Sequence, residues 1–298
     1  SVFTPGNGSV DETSESVASM LTSGVKSVYS TPKFKGISSP GSVFAAIKEN
    51  GSVVTWGRAD YGGNSAKVDD LLADGVKEVT INLWACAALK EDGSVVTWGL
   101  GFSEDDLWNG GGGSTAVAGK MESGILKIYA TAYAFAALTD EGGVVTWGTG
   151  EKGGDSSAVA DKLGANVQSV FSNTSAFAAL KDDGSVVTWG SVNVGGNSAS
   201  VADDLASGVT TIAATSYAFA ALKENGSVVT WGDPQKGADS SEVADVLASG
   251  VYRIFANDFA FAALKYDGSV VTWGTAQNGG DNSDVASSKL CIPNNASD

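Results

Sequence analysis

Six copies of Val-Val-Thr-Trp-Gly, β-rich runs joined by Asn-Gly or Asp-Gly, and overlapping partial units at the two chain ends predict an all-β fold. The fold is a β-propeller of about six blades, with seven as the alternative, and each unit is about three strands plus one short helix. The tryptophans of the six copies are Trp56, Trp98, Trp147, Trp189, Trp231 and Trp273, so successive copies stand 42, 49, 42, 42 and 42 residues apart. The whole chain, 1–298, reads as a single propeller domain built from about six such repeats, with partial repeats at both ends. A domain of this length buries roughly 75% of its unfolded surface, enough for a large core.

One unit runs from Gly195 to Gly232. Gly195-Gly196-Asn197-Ser198 opens it, with Asn or Ser as the expected helix N-cap and Gly208 as the stop. Val201 and Leu205, four apart, share one face of a short helix, as do Val68 with Leu72, Val159 with Leu163, and Val243 with Leu247. A β-rich run follows from Val209 to Ala214. Next comes Ala218-Phe219-Ala220-Ala221-Leu222, whose small residues suit an inner strand crowded near an axis. Asn225-Gly226 then leads into Val228-Val229-Thr230-Trp231. Asn-Gly between two such runs is a hairpin signal in which both central residues take positive φ. Sibling turns use Asn50-Gly51, Asp92-Gly93, Asp183-Gly184 and Asp267-Gly268, and the third repeat uses Glu141-Gly142-Gly143.

A three-stranded sheet cannot bury both its faces alone, so the sheets must stack. A solenoid would need polar capping repeats at its ends. Instead Ser1-Val2-Phe3-Thr4-Pro5-Gly6 matches Ser269 to Gly274, and the chain ends on a helix-like piece, Ser283 to Leu290. Overlapping ends of this kind are expected of a closed ring.

The pattern Gly-Val-x-x-Ile, then Ala-Leu-Lys-x-x-Gly-x-Val-x-x-Trp-Gly, then a Gly-rich link resembles the repeat of the regulator of chromosome condensation family. Its short period looks closest to the compact bacterial form found in propeller-type β-lactamase inhibitor proteins. The resemblance covers roughly residues 8 to 282 and implies binding through one face of a ring, the face that meets the partner in the inhibitor proteins. It departs from the family in two places. The family's Gly-x-x-His before the inner strand reads Thr-Ser-Tyr-Ala here, and its Gly-Gln-Leu-Gly link reads Gly-Gly-Asp/Asn-Ser. These departures speak against a chromatin or exchange-factor role.

Composition narrows the function. With 18 basic and 34 acidic residues the net charge is −16. That opposes nucleic acid and anionic membranes, and favours a protein partner with a basic surface. The chain has no histidine, which removes the Ser-His-Asp triad and every His-ligated metal site. Its two cysteines, Cys86 and Cys291, are too few for a four-cysteine zinc site, and whether they pair is left open. Cys86 stands where siblings carry Phe and reads as a small buried residue. No apolar run is long enough to span a membrane. The start at Ser1 rather than Met is a hint of leader removal or an artificial boundary and leaves the compartment open with a weak lean to secreted or lumenal; sequons stand at Asn7, Asn50, Asn173, Asn225 and Asn295, of which Asn50 and Asn225 are better explained as turn residues.

No catalytic residue, metal site or cofactor is expected. The acid pairs Asp69-Asp70, Asp105-Asp106 and Asp203-Asp204 are the nearest thing to a glycosidase pair, and two of them lie in the link. The link Asp and Asn residues read as helix caps rather than calcium ligands. The repeated Lys48, Lys90, Lys181, Lys223 and Lys265 read as solvated charges at strand ends. Residues that break the repeat carry more information. Two residues before the inner-strand aromatic, the six units carry Ser42, Trp84, Tyr133, Ser175, Tyr217 and Phe259. Trp108 lies in the longer third unit, beside Phe102, Glu104, Asp105 and Asp106, and Phe34 lies in a basic insertion of the first. The expected function is a non-catalytic protein-binding propeller that uses the face carrying Trp84, Tyr133, Tyr217 and Phe259, extended by Trp108 and Phe34. The alternatives are an architectural subunit of a larger assembly and a carbohydrate-binding module.

Overall fold

The computed structural model describes residues 17–33, 41–101 and 111–281, in two compact units within Ser1–Ala165 and Asn166–Asp298. The first unit holds three antiparallel sheets. Sheet 1 is β1 (Val25–Ser30), β2 (Val43–Lys48) and β3 (Val53–Gly57). Sheet 2 is β4 (Val76–Ile81), β5 (Ala85–Lys90) and β6 (Val95–Gly99). Sheet 3 is β7 (Ile125–Ala130), β8 (Ala134–Thr139) and β9 (Val144–Gly148). The second unit holds sheet 4, made of β10 (Val167–Ser172), β11 (Ala176–Lys181) and β12 (Val186–Gly190), and sheet 5, made of β13 (Val209–Ala214), β14 (Ala218–Lys223) and β15 (Val228–Gly232). Sheet 6 is β16 (Val251–Ala256), β17 (Ala260–Lys265) and β18 (Val270–Gly274). The fold class is therefore all-β, with six three-stranded sheets, the blade count of a six-bladed propeller. The terminal pieces Ser1–Gly6 and 283–290, on which a composite seventh blade depends, lie outside the described residues, as does Cys291.

The Ala-rich strand is the central strand of each sheet, not an edge strand near an axis. Its small residues answer crowding from both faces. Side chains alternate with period two, so Ala176, Ala178 and Leu180 of β11 pack on Phe219, Ala221 and Ile212 of sheet 5. In turn Ala218, Ala220 and Leu222 of β14 pack on Phe261, Ala263 and Trp273 of sheet 6. The same stacking joins sheet 1 to sheet 2 and sheet 2 to sheet 3. A one-residue slip would exchange the two faces, which fixes the register.

On one face the central-strand Phe lies directly across from the repeated Trp, as in Phe219↔Trp231 and Phe261↔Trp273. The rings stack with centroids 5.3 and 5.2 Å apart. The indole N–H then donates to a link carbonyl 36 residues earlier: Trp98 to Gly62, Trp147 to Gly111, Trp231 to Gly195 and Trp273 to Gly237. The start of each such link is held from the sheet before it, where the Thr preceding that sheet's Trp meets a link Ser hydroxyl, as in Thr188 to Ser198 at 3.0 Å and Thr230 with Ser240 at 3.0 Å.

Three local expectations are corrected. First, the hairpin turns have positive φ only at glycine: Gly51 and Gly226 are at +78°, while Asn50 and Asn225 are not positive. Gly51 N–H donates to the Lys48 carbonyl and Lys48 N–H to the Ser52 carbonyl. This is a type I turn closed by a left-handed glycine bulge. Asn50 instead accepts from the Ser52 N–H and hydroxyl.

Second, the expected helix is short and largely 3₁₀, with 3₁₀ turns at Ser157–Val159 and Ser241–Val243 leading into its α-helical pieces. It is α-helical over four residues in α1 (Ala160–Leu163) and α2 (Ala244–Leu247), and 3₁₀ at Asp69–Leu72, Thr115–Lys120 and Ala199–Val201. The link is too short to propagate a helix, and burial of Leu72, Leu163, Leu205 and Leu247 holds the turn down. The link Asn and Asp side chains cap it as Asx turns, as in Asn197 to the Ala199 N–H.

Third, the repeated lysines are not merely solvated. Lys90 Nζ donates to the Leu71 carbonyl, Lys223 to Asp204 and Lys265 to Val246, each 19 residues back, closing the carbonyl end of the link turn. Beside it the chain turns through a left-handed glycine such as Gly208 (φ +72°). Asn166 takes that position at +62°, the one non-glycine with positive φ among the described residues. No helix among them is long and apolar enough to cross a membrane.

Two predictions follow from this packing. Gly195 has φ +102°, and a Cβ there would stand 2.7 Å from the Phe219 ring. Gly195→Ala should lower stability by about 2 kcal/mol or more in urea unfolding, combining left-handed strain with a core clash. Gly119→Ala, where a Cβ meets nothing within 4 Å, should stay near neutral.

The hairpin carboxyls of Asp92, Asp183 and Asp267 are held below the ordinary aspartate range by the hydroxyl and then the N–H of Ser94, Ser185 and Ser269. A lowered folded-state pKa adds stability that is present above about pH 4 and lost as pH falls through the folded value. The triple variant Asp92→Asn, Asp183→Asn, Asp267→Asn keeps the turn acceptor, as Asn50 and Asn225 do naturally. Its melting temperature should therefore fall less between pH 6 and pH 3 than that of the parent, measured by circular dichroism.

Candidate functional site

In sheets 2 to 5 the turn before the central strand is built around one buried polar side chain, Asn82, Thr131, Asn173 and Thr215 in turn, and in sheet 6 around the exposed Asn257. Asn82 Oδ1 accepts from the N–H groups of Trp84 and Ala85, each at 2.8 Å. Thr215 Oγ1 accepts from Tyr217 and Ala218, and Asn257 Oδ1 from Phe259 and Ala260. These side chains also donate to the next link, Asn173 to the Val194 carbonyl, Thr215 to Lys236 and Asn257 to Asn278. The carbonyls of Trp84, Tyr133, Tyr217 and Phe259 accept from Leu100, Thr149, Asp233 and Thr275 at 2.9 to 3.0 Å. Each candidate aromatic thus rises from a backbone whose own N–H and C=O are both bonded.

Successive turns are also joined to one another within each unit. Leu83 N–H donates to the Ala132 carbonyl, Thr174 N–H to Ser216, and Ser216 N–H to Asp258. This row sets the spacing of the aromatics. Trp84 stacks on Tyr133 with centroids 6.5 Å apart and planes at 27°. Tyr217 stacks on Phe259 at 5.8 Å and 11°. All four rings are half-buried, whereas Ser175 is buried and Ser42 exposed. Phe34 and Trp108 lie outside the described residues, so the structure brings together four of the six expected site residues, as one pair in each unit.

Three further residues complete these pairs. Tyr61 meets Trp84 edge-on at 4.9 Å, and the Arg58 guanidinium lies 4.2 Å over the Tyr61 ring. In the second unit the Lys236 ammonium lies 5.2 Å over Phe259. The signal for the first two was present in the repeat. Tyr61 stands where siblings have Lys152, Val194, Lys236 and Asn278, and Arg58 where they have Leu100, Thr149, Ser191, Asp233 and Thr275.

Tyr61 is there for a volume reason as well. Cys86, fully buried and a free thiol, replaces the central-strand Phe opposite Trp98. Burial pushes its pKa far up, so it is an inert core group. Tyr61 joins the same buried cluster as Cys86 and Trp98, whereas Val194 joins Phe219 and Trp231 in the sibling. A large and a small residue have changed places. Trp84 packs against this altered core, and its indole N–H is buried without an acceptor among the described residues. Such an unmet donor costs about 1–3 kcal/mol.

The site offers stacked aromatic faces on hydrogen-bonded turns, with Lys236 over one stack and Arg58 over the Tyr61 ring that edges the other. Among the described residues no group of three or more Cys, Asp or Glu is placed to hold a metal. Of the acid pairs, Asp69-Asp70 sits in a link turn, where Asp69 accepts from the Ser65 hydroxyl. Asp203-Asp204 sits in another link, and Asp105-Asp106 lies outside the described residues.

Three-stranded antiparallel blades that repeat along the chain, with loop turns aligned at one end, are the architecture of repeat β-propellers. No family model and no curated protein matches the sequence. Among solved structures the chain is similar to Prp20p from Saccharomyces cerevisiae, in a structure described with its binding to Gsp1p and histones. The two are 16% identical over 78% of this chain and 69% of that one, with a TM-score of 0.45. The chain is similar to human WBSCR16 at 16% identity over 83% and 77%, TM-score 0.47. It is also similar to the computationally designed Ika8 protein at 12% identity over 84% and 70%, TM-score 0.37. Prp20 is yeast RCC1, of the repeat type that the sequence pattern resembles.

The exchange of Tyr61 and Cys86 is open to a double-mutant cycle. Cys86→Phe alone should destabilise by about 1–3 kcal/mol through overpacking, and Tyr61→Val alone should destabilise by leaving a void. The double variant should recover most of the loss, with a coupling of at least about 1 kcal/mol in urea unfolding.

Proposed function

We propose that the protein is a non-catalytic binding module that contacts another protein through its aromatic turns, Trp84 and Tyr133 in one unit and Tyr217 and Phe259 in the other. The observation that carries this reading is the pairing of half-exposed aromatic rings on turns whose backbone is already fully bonded. The core does not need rings at this position, since Ser42 and Ser175 occupy it in sibling repeats. Binding energy at protein interfaces concentrates in a few Trp, Tyr and Arg anchors. Rings held by a preformed turn lose little entropy when a partner arrives. The net charge of −16 favours a partner with a basic surface, and Phe34 and Trp108 are proposed to extend the contact.

Trp84→Ala and Tyr217→Ala test it. Each should weaken the partner recovered by pull-down from native extract by about thirtyfold, a truncation cost of about 2 kcal/mol, with the melting temperature unchanged. A melting temperature lowered by several degrees with partner recovery intact would assign both rings to the core and end the proposal.

A further inference from the structure

Every exposed aromatic side chain among the described residues lies on sheet 6: Tyr252 at 40%, Phe255 at 46% and Tyr266 at 80%. Tyr266 occupies the hairpin tip, where the other five repeats carry Glu49, Glu91, Asp140, Asp182 and Glu224. Tyr252 stands where they carry Lys26, Lys77, Leu126, Gln168 and Thr210. Two departures from the repeat therefore fall side by side, and their rings lie 5.0 Å apart at 30°. Tyr266 is seven residues along the strand from Phe259, about 23 Å at the strand rise, so this patch is at the opposite end of the sheet from the turn row. Val246, 44% exposed, borders it, because Lys265 next to Tyr266 donates to the Val246 carbonyl.

Exposed carboxylates lie on the same tip and on the elements that adjoin it. Asp267 follows Tyr266 at the tip, and Asp245 lies on α2, beside Val246. Glu224 is at the tip of sheet 5, which meets the start of β16 through the Val251 N–H and the Gly226 carbonyl. The nearby cations are engaged, Lys265 on Val246 and Arg253 over the Phe255 ring at 4.8 Å.

We propose that the Tyr252–Tyr266 patch is a second docking surface, and that its occupant is a cationic polypeptide segment rich in Arg or Lys. Guanidinium or ammonium groups would lie on the outer faces of the two tyrosines, and Glu224, Asp245 and Asp267 would neutralise the flanking charges. Glu224, Asp245 and Asp267 outnumber Lys265 and Arg253 at the patch, and the chain as a whole carries −16. The surface is independent of the turn row, so either reading can fail alone.

The test is calorimetric titration of the full chain with hexa-arginine and with hexacitrulline, its neutral isostere, at about 150 mM salt, where diffuse attraction is screened beyond about 8 Å. Hexa-arginine should bind and hexacitrulline should not. The pair Tyr252→Ala, Tyr266→Ala leaves net charge unchanged and should weaken hexa-arginine about tenfold. Tyr252→Phe with Tyr266→Phe should retain affinity, as should Trp84→Ala and Tyr217→Ala. Equal affinity in parent and alanine pair would overturn the proposal in favour of unspecific attraction to the acidic surface. So would concentration-dependent self-association lost in the alanine pair, which would make a second copy of this chain the occupant.

Discussion

The repeated tryptophan, as at Trp147, Trp231 and Trp273, makes two contacts that the rest of its repeat depends on. Its ring lies flat against the residue across the strand boundary, and its indole N–H reaches a carbonyl in the preceding link. The ring contact defines which face of the central strand is which. The hydrogen bond draws the link down over that face, so that one residue orders a sheet and the connection leading to it. At Gly62, Gly111, Gly195 and Gly237 the link glycine then lies with left-handed φ where a Cβ would meet a ring or the Cys86 sulfur. This is one physical reason for a chain with 39 glycines. The Thr–Ser hydroxyl pairs and the lysine-to-carbonyl bonds hold the same link at its other points, so the period of 42 residues is set by the reach of these contacts.

Because these contacts recur, positions outside them are free to vary, and variation there carries information. The turn before the central strand shows how. Its backbone is satisfied by Asn or Thr in five repeats. The residue it presents is left unconstrained: serine in two units and aromatic in four. Hydrogen bonds from turn to turn bring these rings into stacks. The hairpin tip behaves in the same way, with a carboxylate in five repeats and Tyr266 in the sixth. The second repeat shows the limit of that freedom. Where Cys86 stands in place of the core Phe, the link carries Tyr61, whose ring meets Trp84. A core volume requirement thereby shaped a surface residue.

What the amino-acid sequence determined by itself was local in origin. β-rich runs defined the strands, Asx-Gly pairs located the hairpins, and recurrence of Trp-Gly marked packing rather than chemistry. The break in pattern at Trp84, Tyr133, Tyr217 and Phe259 was legible for the same reason, since a repeat is its own alignment. The tertiary structure decided whatever depends on a residue far away in the chain. That the Ala-rich strand is central follows from hydrogen bonding on both its edges. That the lysines close link turns follows from a carbonyl 19 residues back. That Arg58 lies over Tyr61 and Lys236 over Phe259 follows from where the links descend. The turn type was lost for a subtler reason: Asn-Gly serves both a two-residue turn and a glycine bulge, and the register of the paired strands chooses between them. Local periodicity and φ preference are written residue by residue, but contacts between a strand, a link and the next sheet exist only once stacking has set the register.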